Sequence, residues 1–230
     1  MEEWRHLLYP IGYVANLLYA LRFFLQWINS EKAHQSHFLP SFWSISLYGS
    51  LLLAFHSFIQ VQYPICLIQS CNAILYWRNL ELMHYSKQDL MPLSKVYTLL
   101  GMLILGVTTA FIAQSWLTFG ELEWMRVPNL AERAKGTPVS MTWNLIGFCG
   151  TFLFASRFWI HWWRAEKNAS TALKKDFWIV SVIGSMLALS YFIRIKDLVN
   201  IIGYGVGMVP YIRNLMLMKK AKHLQRTLKQ

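Results

Sequence analysis

Charge is scarce in this 230-residue chain. Asp, Glu, Lys and Arg make up 14% of it, where an ordinary soluble domain carries roughly 25%. Acidic residues are the scarcer kind, 11 against 22 basic, for a net charge of +11. The three cysteines, Cys66, Cys71 and Cys149, all fall within apolar stretches, with no CxxC spacing and no His cluster. That excludes a disulfide framework and a Cys/His metal site, and the thiols read as small apolar packing residues. A Walker A loop, a GxGxxG turn and a Ser/His/Asp pattern are also missing, so no nucleotide-binding loop, catalytic residue, cofactor or metal is expected. The chain opens on Glu2 and Glu3 in place of a basic region, and its first apolar stretch is too long for a cleaved signal peptide.

What is abundant is apolar. Hydrophobic residues reach 55% and aromatics 16%, with eleven Trp. Apolar runs that suit a bilayer crossing of about 20 residues recur at residues 7–28, 38–60, 63–80, 97–117, 141–163, 177–194 and 198–217. Little else is left for a soluble domain. The expectation is an all-α membrane protein with seven transmembrane helices.

The chain also contains itself twice. Shifted by 135 positions, residues 11–82 fall without a gap on 146–217, with 20 identities in 72 positions. Arg22-Phe23 meets Arg157-Phe158, Trp27 meets Trp162, and Glu31-Lys32 meets Glu166-Lys167. Phe42-Trp43 meets Phe177-Trp178, Gly49-Ser50 meets Gly184-Ser185, and Tyr76-x-Arg78-Asn79-Leu80 meets Tyr211-x-Arg213-Asn214-Leu215. A repeat of this length is a duplicated structural unit. Three spans fall in each copy and one between them, so a move from one copy to the next crosses an even number of spans. The copies are expected as two parallel three-helix bundles related by an axis along the membrane normal. The predicted layout is a first repeat at 7–82, a connector helix at 96–117, an external loop at 118–140, a second repeat at 141–217 and a basic tail at 218–230. With that tail inside, the positive-inside rule puts the N-terminus outside and 14 basic residues on the cytoplasmic face against six outside. The basic charge then belongs to membrane-flanking loops, which argues against nucleic acid.

The polar residues kept inside the spans carry the functional argument. Arg22 and Arg157 each lie about 9 Å inside a span's cytoplasmic end, at 1.5 Å per residue. Three readings stand open: snorkelling to the headgroups, ion pairs with Glu31 and Glu166, or bidentate binding of an anionic headgroup. Gln26 lies one turn from Arg22 and its counterpart is His161, so a hydrogen-bonding residue stays beside each Arg. Arg78-Asn79 and Arg213-Asn214 close the third span of each copy, where Arg complements the helix dipole and Asn either caps the end or meets a polar ligand. His56, Gln69 and Asn72 in the first copy face Tyr191, Tyr204 and Gly207 in the second. His56, Gln69, Asn72, Tyr191 and Tyr204 are candidates to line a lopsided cavity or to make interhelical hydrogen bonds. Phe42-Trp43 and Phe177-Trp178 read first as an interfacial aromatic belt. Pro210 is expected to kink the last span. No carboxylate stands clearly in mid-span, so a proton relay has little support.

The string Arg22-Phe-x-x-Gln26-Trp27, Ser30-Glu31-Lys32, Ser36, Phe42-Trp43, Ser46, Gly49, Tyr76-x-Arg78-Asn79-Leu80 resembles the lipid-A-disaccharide synthase N-terminal domain family. The first copy matches closely and the second more loosely. Lys175 stands where the first copy has Pro40, His161 replaces Gln26 and Ala165 replaces Ser30. The resemblance implies a part in lipid A or lipid-linked saccharide biosynthesis at a bacterial inner membrane, without catalysis by this chain alone. The three-plus-one-plus-three order is similar to that of the sugar-transporting SWEET and PQ-loop proteins, an analogy of fold. Two functions are expected candidates: binding and translocating a lipid-linked sugar or phospholipid, or docking lipid for a membrane-associated glycosyltransferase. A soluble-sugar uniporter would not need intramembrane Arg. The expected partners are anionic or sugar-linked membrane lipids, with the fold complete as a monomer.

Overall fold

The computed structural model describes residues 2–33, 39–85, 88–123, 139–168 and 175–227. Among them the regular structure is helical: α1 (Glu2–Leu8), α2 (Pro10–Ala33), α3 (Pro40–Ile59), α4 (Tyr63–His84), α5 (Leu93–Phe119), α6 (Met141–Asn168), α7 (Lys175–Ile195) and α8 (Leu198–Thr227). Local chemistry sets several ends. Pro40 and Pro64 stand in the first turns of α3 and α4, where a missing N–H costs nothing. Gly120 ends α5 in the left-handed conformation, its N–H donating to the Trp116 carbonyl at 3.1 Å, a common helix stop.

The turns α3–α4 and α7–α8 are copies of each other. Val61 and Lys196 occupy equivalent positions and both are left-handed, at φ 56° and 57°. The Gln62 N–H donates to the Ser57 carbonyl at 2.8 Å, and its counterpart Asp197 donates to Phe192 at 3.1 Å. A non-glycine residue in that region costs roughly 1–2 kcal/mol, and here it is spent twice to set Gln62 and Asp197 in matching places.

Within each repeat the middle helix packs on both neighbours: α3 on α2 and α4, α7 on α6 and α8. Between repeats, α2 packs on α8 and α4 on α6. First helix meets third helix at both contacts, which is the pairing of a pseudo-two-fold. The largest core cluster bridges the two copies, with Phe23, Phe42, Trp43 and Tyr76 from one and Phe158, Phe177, Trp178 and Tyr211 from the other. Trp43 and Trp178 are 0% and 1% exposed, so Phe42-Trp43 and Phe177-Trp178 are core and not the expected interfacial belt. They sit one per copy around the seam, where large rings fill the space between bundles.

Four helical segments are long and apolar enough to cross a membrane: Trp4–Gln26, Pro40–Ile59, Leu93–Phe119 and Lys175–Ile195. The other three long helices, α4, α6 and α8, bear Arg78 and Glu81, Arg157 and Glu166, and Arg213 with a run of basic residues. α5 rests on α4 and leaves Met102, Leu105 and Leu117 exposed. The last helix continues past 217 to Thr227, so much of the segment read as a tail is helical.

Close helix approach in the second repeat rests on Gly150 and Gly184. A Cβ on Gly150 would meet the Ala188 backbone nitrogen, and one on Gly184 would lie 2.6 Å from that of Phe154. Backbone cannot move aside as a side chain can. Gly150→Ala is therefore expected to force α6 from α7 and cost about 1–3 kcal/mol, the range for overpacking. Gly106→Ala on α5, with nothing within 4 Å, is expected to be neutral or to stabilise by up to ~1 kcal/mol. Thermal unfolding in detergent separates the two.

Candidate functional site

Arg22 on α2 and Arg157 on α6 are 3% and 1% exposed, so neither reaches out of the protein to a headgroup. The Phe158 ring lies 5.5 Å from Arg22 Cζ and 4.6 Å from Arg157 Cζ. The two guanidiniums can be no farther apart than those two distances together. Around Arg22 stand Tyr19 (4.4 Å), Phe23, Phe42 and Tyr76; around Arg157 stand Phe154 (3.4 Å), Phe177 and Tyr211. Aromatic faces attract a cation, worth ~2 kcal/mol when desolvated, but they do not neutralise it.

Hydrogen bonds do even less. Arg22 Nη1 donates to Ser46 Oγ at 2.7 Å, while its Nε is unpaired. Nε, Nη1 and Nη2 of Arg157 are all without a hydrogen bond, beyond a loose approach of the Tyr211 hydroxyl. No carboxylate pairs with either guanidinium among the described residues. Glu166, one expected partner, binds Arg78 instead; the side chain of Glu31 lies outside the described residues. Two like charges within about 10 Å of each other repel by ~2 kcal/mol or more at an effective dielectric of 20. The arrangement offers five-donor forks of the geometry that fits a phosphate or carboxylate.

The neighbours predicted from sequence are here in part. Gln26 is buried with its amide nitrogen unpaired, and His161 is buried and stacks on Trp43 at 5.5 Å. Gln69 accepts a 2.8 Å hydrogen bond from the Tyr19 hydroxyl, and so joins the Arg22 side. Asn72 is buried with its carbonyl oxygen unpaired, and Tyr204 packs its ring on Phe154 at 4.8 Å. His56 and Tyr191 lie elsewhere, each ring seated on the glycine of its own copy, Gly12 and Gly147.

Arg78 and Arg213, identical in the repeat, part company. Arg78 is 2% exposed. It donates to Glu166 at 2.7 and 3.4 Å, to Glu81 at 3.0 Å and to the Met91 carbonyl at 2.9 Å, and Trp162 Nε1 also donates to Glu166 at 3.0 Å. This ties α4 of one repeat to α6 of the other. Arg213 is exposed, far from the end of α8 because that helix runs on to Thr227. Asn79 and Asn214 do not cap: each amide donates to its own helix one turn back, to Leu75 and Pro210, at 2.8 and 2.7 Å. Pro210 stands inside α8, which runs on through it; the carbonyl its missing N–H leaves without a helix donor is that of Val206, not the one Asn214 binds.

Sequence reading missed Asp197. It falls in a loop by pattern, yet it is 0% exposed and accepts hydrogen bonds from Gln62 and Asn200 at 2.6 and 2.7 Å. The signal available was its register: Asp197 is the repeat's counterpart of Gln62.

These features define a class of protein: an apolar helical tandem repeat whose two copies close on a buried pair of arginines. Comparison with known families makes the assignment narrower. Residues 11–81 and again 146–216 match the family described as the Lipid A Biosynthesis N-terminal domain, and the chain belongs to that family. Among curated relatives, a lipid-A-disaccharide synthase of Chlamydia felis is 37% identical over 219 residues, 95% of this chain and 34% of its own length. The proteins of the same name from Chlamydia caviae and Chlamydia pneumoniae are 36% and 35% identical. The chain thus spans about a third of the length of these relatives. No solved structure matches it significantly.

Two outcomes follow from the electrostatics. An uncompensated buried ion costs several kcal/mol, more than the rings return. Arg157→Met, which keeps length without charge, is expected to raise the thermal midpoint of ligand-free protein, by about 1–4 kcal/mol in stability. Arg22→Met should gain less, because it forfeits the Ser46 bond. The second outcome contrasts the repeat partners. Arg78→Ala strands Glu166 in a half-buried site and should cost about 3–5 kcal/mol, whereas Arg213→Ala should stay within about 0.5 kcal/mol; denaturation of both variants checks this.

Proposed function

We propose that the chain is a membrane-embedded carrier for a lipid-linked saccharide or phospholipid of lipid A biosynthesis, held by its anionic group between Arg22 and Arg157. The observation that carries this reading is the buried guanidinium pair, with unpaired nitrogens on both and no carboxylate bound to either among the described residues. Such a pair is costly unless a ligand supplies the missing negative charge. The surrounding rings suit the apolar faces of a sugar or an acyl chain. Membership of the lipid A family supports the substrate class.

In this reading all seven long helices span the bacterial inner membrane. They form two parallel three-helix bundles joined by α5, in the order of SWEET-type transporters, with the N-terminus outside and the basic tail cytoplasmic. The helix pairing across the pseudo-two-fold and the basic residues at one set of helix ends support that placement. Polar ties between the repeats stand at both ends of the seam, Arg78–Glu166 at one and Gln62–Asp197 at the other. A site closed at both ends favours movement of the ligand over simple capture.

The length of the relatives favours a second reading. Proteins named lipid-A-disaccharide synthase are about three times longer than the aligned region, so the chain could serve as the part that presents lipid to a glycosyltransferase, sugar transfer residing elsewhere. A soluble-sugar uniporter leaves the two arginines without a use.

Reconstitution in liposomes with a fluorescent polyprenyl-phosphate sugar distinguishes these readings. Protein is expected to expose the inner-leaflet label to an external quencher, and Arg22→Gln with Arg157→Gln to lower both binding and movement at least tenfold. Binding without movement supports presentation to an enzyme. Undiminished binding by the folded double variant overturns the anion site itself.

A further inference from the structure

The arginine pair discriminates among anions as well as attracting them. One ring, Phe158, lies against both guanidiniums, at 5.5 and 4.6 Å, so neighbouring groups of a single ligand can reach both. Arginine does not shed its proton in a protein, and the centre therefore holds two fixed positive charges. No carboxylate pairs with either among the described residues. A phosphodiester brings one negative charge and leaves one buried cation unmatched, which is the costly condition. Neutralising the pair takes two.

The two halves of the centre are built alike. Arg22 Cζ stands 5.1 Å from the Phe42 ring and 5.7 Å from that of Tyr76, whose hydroxyl approaches it. Arg157 Cζ stands 5.6 Å from the Phe177 ring and 4.8 Å from that of Tyr211, whose hydroxyl approaches it in turn. Phe42 and Phe177 are repeat counterparts, as are Tyr76 and Tyr211. Each half thus presents a guanidinium and a phenol hydroxyl from its own copy, donors that suit one phosphate. The halves differ in what is already committed. Arg22 spends one N–H on Ser46 at 2.7 Å, and Gln26, one turn along α2, adds a buried amide nitrogen without a hydrogen bond. Ser181, the counterpart of Ser46, donates to the Phe177 carbonyl and takes nothing from Arg157, whose three nitrogens are all without a hydrogen bond. Both halves retain N–H groups for an anion.

We propose that the centre takes a lipid diphosphate, one phosphate held by Arg22 and the other by Arg157. The inference rests on the anion site proposed above and narrows its ligand. Two phosphates joined through one oxygen set two like anions side by side, as the duplication sets two like groups of donors. A diphosphate that links lipid to sugar carries two negative charges and matches the pair. A phosphate monoester, at about −1.5 to −2 near neutral pH, matches the charge but offers one group to two half-sites. A phosphodiester matches neither.

The test uses the full chain in a phosphate-free maltoside detergent at about pH 8, where a monoester is close to doubly charged. Three probes share a farnesyl chain and differ in headgroup: the diphosphate, the phosphate and the methyl diester of that phosphate. By calorimetric titration the diphosphate is expected to bind at least about tenfold tighter than the other two, the worth of one further charge-assisted clamp. Arg22→Gln and Arg157→Gln should each abolish that preference. In phosphorus NMR of the bound diphosphate, one variant should displace chiefly one of the two signals and the second variant the other. Equal affinity for all three probes, weakened in each variant, leaves the anion site standing and overturns the diphosphate. A preference that survives in both variants overturns it too. A monoester as tight as the diphosphate gives both arginines to a single phosphate and overturns the assignment of one phosphate to each. Failure of every probe to bind removes the anion site and this inference with it. Should a variant fail to fold, the ranking of the three probes by the parent chain decides.

Discussion

The charge on two buried guanidiniums, paired with no carboxylate among the described residues, is the constraint around which the rest of the protein is arranged. Removing an ion from water costs several kcal/mol even after relaxation, and proteins normally meet that cost with a counter-ion. Here Arg22 and Arg157 are wrapped in aromatic rings, Arg22 donating to Ser46 and the hydroxyls of Tyr76 and Tyr211 approaching Arg22 and Arg157. The rings stabilise the cations in part and keep water away. The remaining demand for negative charge is the ground on which an anionic ligand is proposed for the centre.

Such a centre can exist only if the two repeats are held in register. The aromatic cluster drawn from both copies does part of this, because Phe158 touches both arginines and packs on Tyr76 at 5.1 Å. The ends of the seam do the rest with two different chemistries. Arg78 with Glu166 is a charged, multiply bonded tie, whereas Gln62 with Asp197 is a carboxylate held by neutral donors. A duplicated fold places equivalent residues in equivalent places, and divergence between the copies then makes each end distinct. Gln62 became the donor and Asp197 the acceptor at one point on the pseudo-two-fold. Family membership connects this architecture to lipid A biosynthesis, and the buried guanidinium pair is the physical reason for proposing lipid handling as the form that connection takes.

Much of the helix layout was legible from hydropathy. Apolar runs of bilayer length and short turns with Pro40 and Pro64 at helix starts leave few alternatives. The ungapped repeat located the two arginines, because a charged residue kept at matching positions in apolar helices stands out against its background. The roles of side chains at the seam were less legible. Phe42-Trp43 read as a membrane belt and is core. Arg78 and Arg213 read as twins, yet one is buried in an ion network and the other is exposed.

Sequence by itself therefore determined the helical, apolar character of this protein, its duplication and the presence of an arginine in the first helix of each copy. These follow from one-dimensional patterns: composition, period and internal identity. The tertiary structure alone decided that the arginines share a ring with no carboxylate paired to either among the described residues, that Glu166 serves Arg78, and that Asp197 is buried against Gln62. The physical reason is that pairing across the seam joins residues 88 and 135 positions apart. Nothing local to either residue records which partner the packing of two bundles will bring within 3 Å.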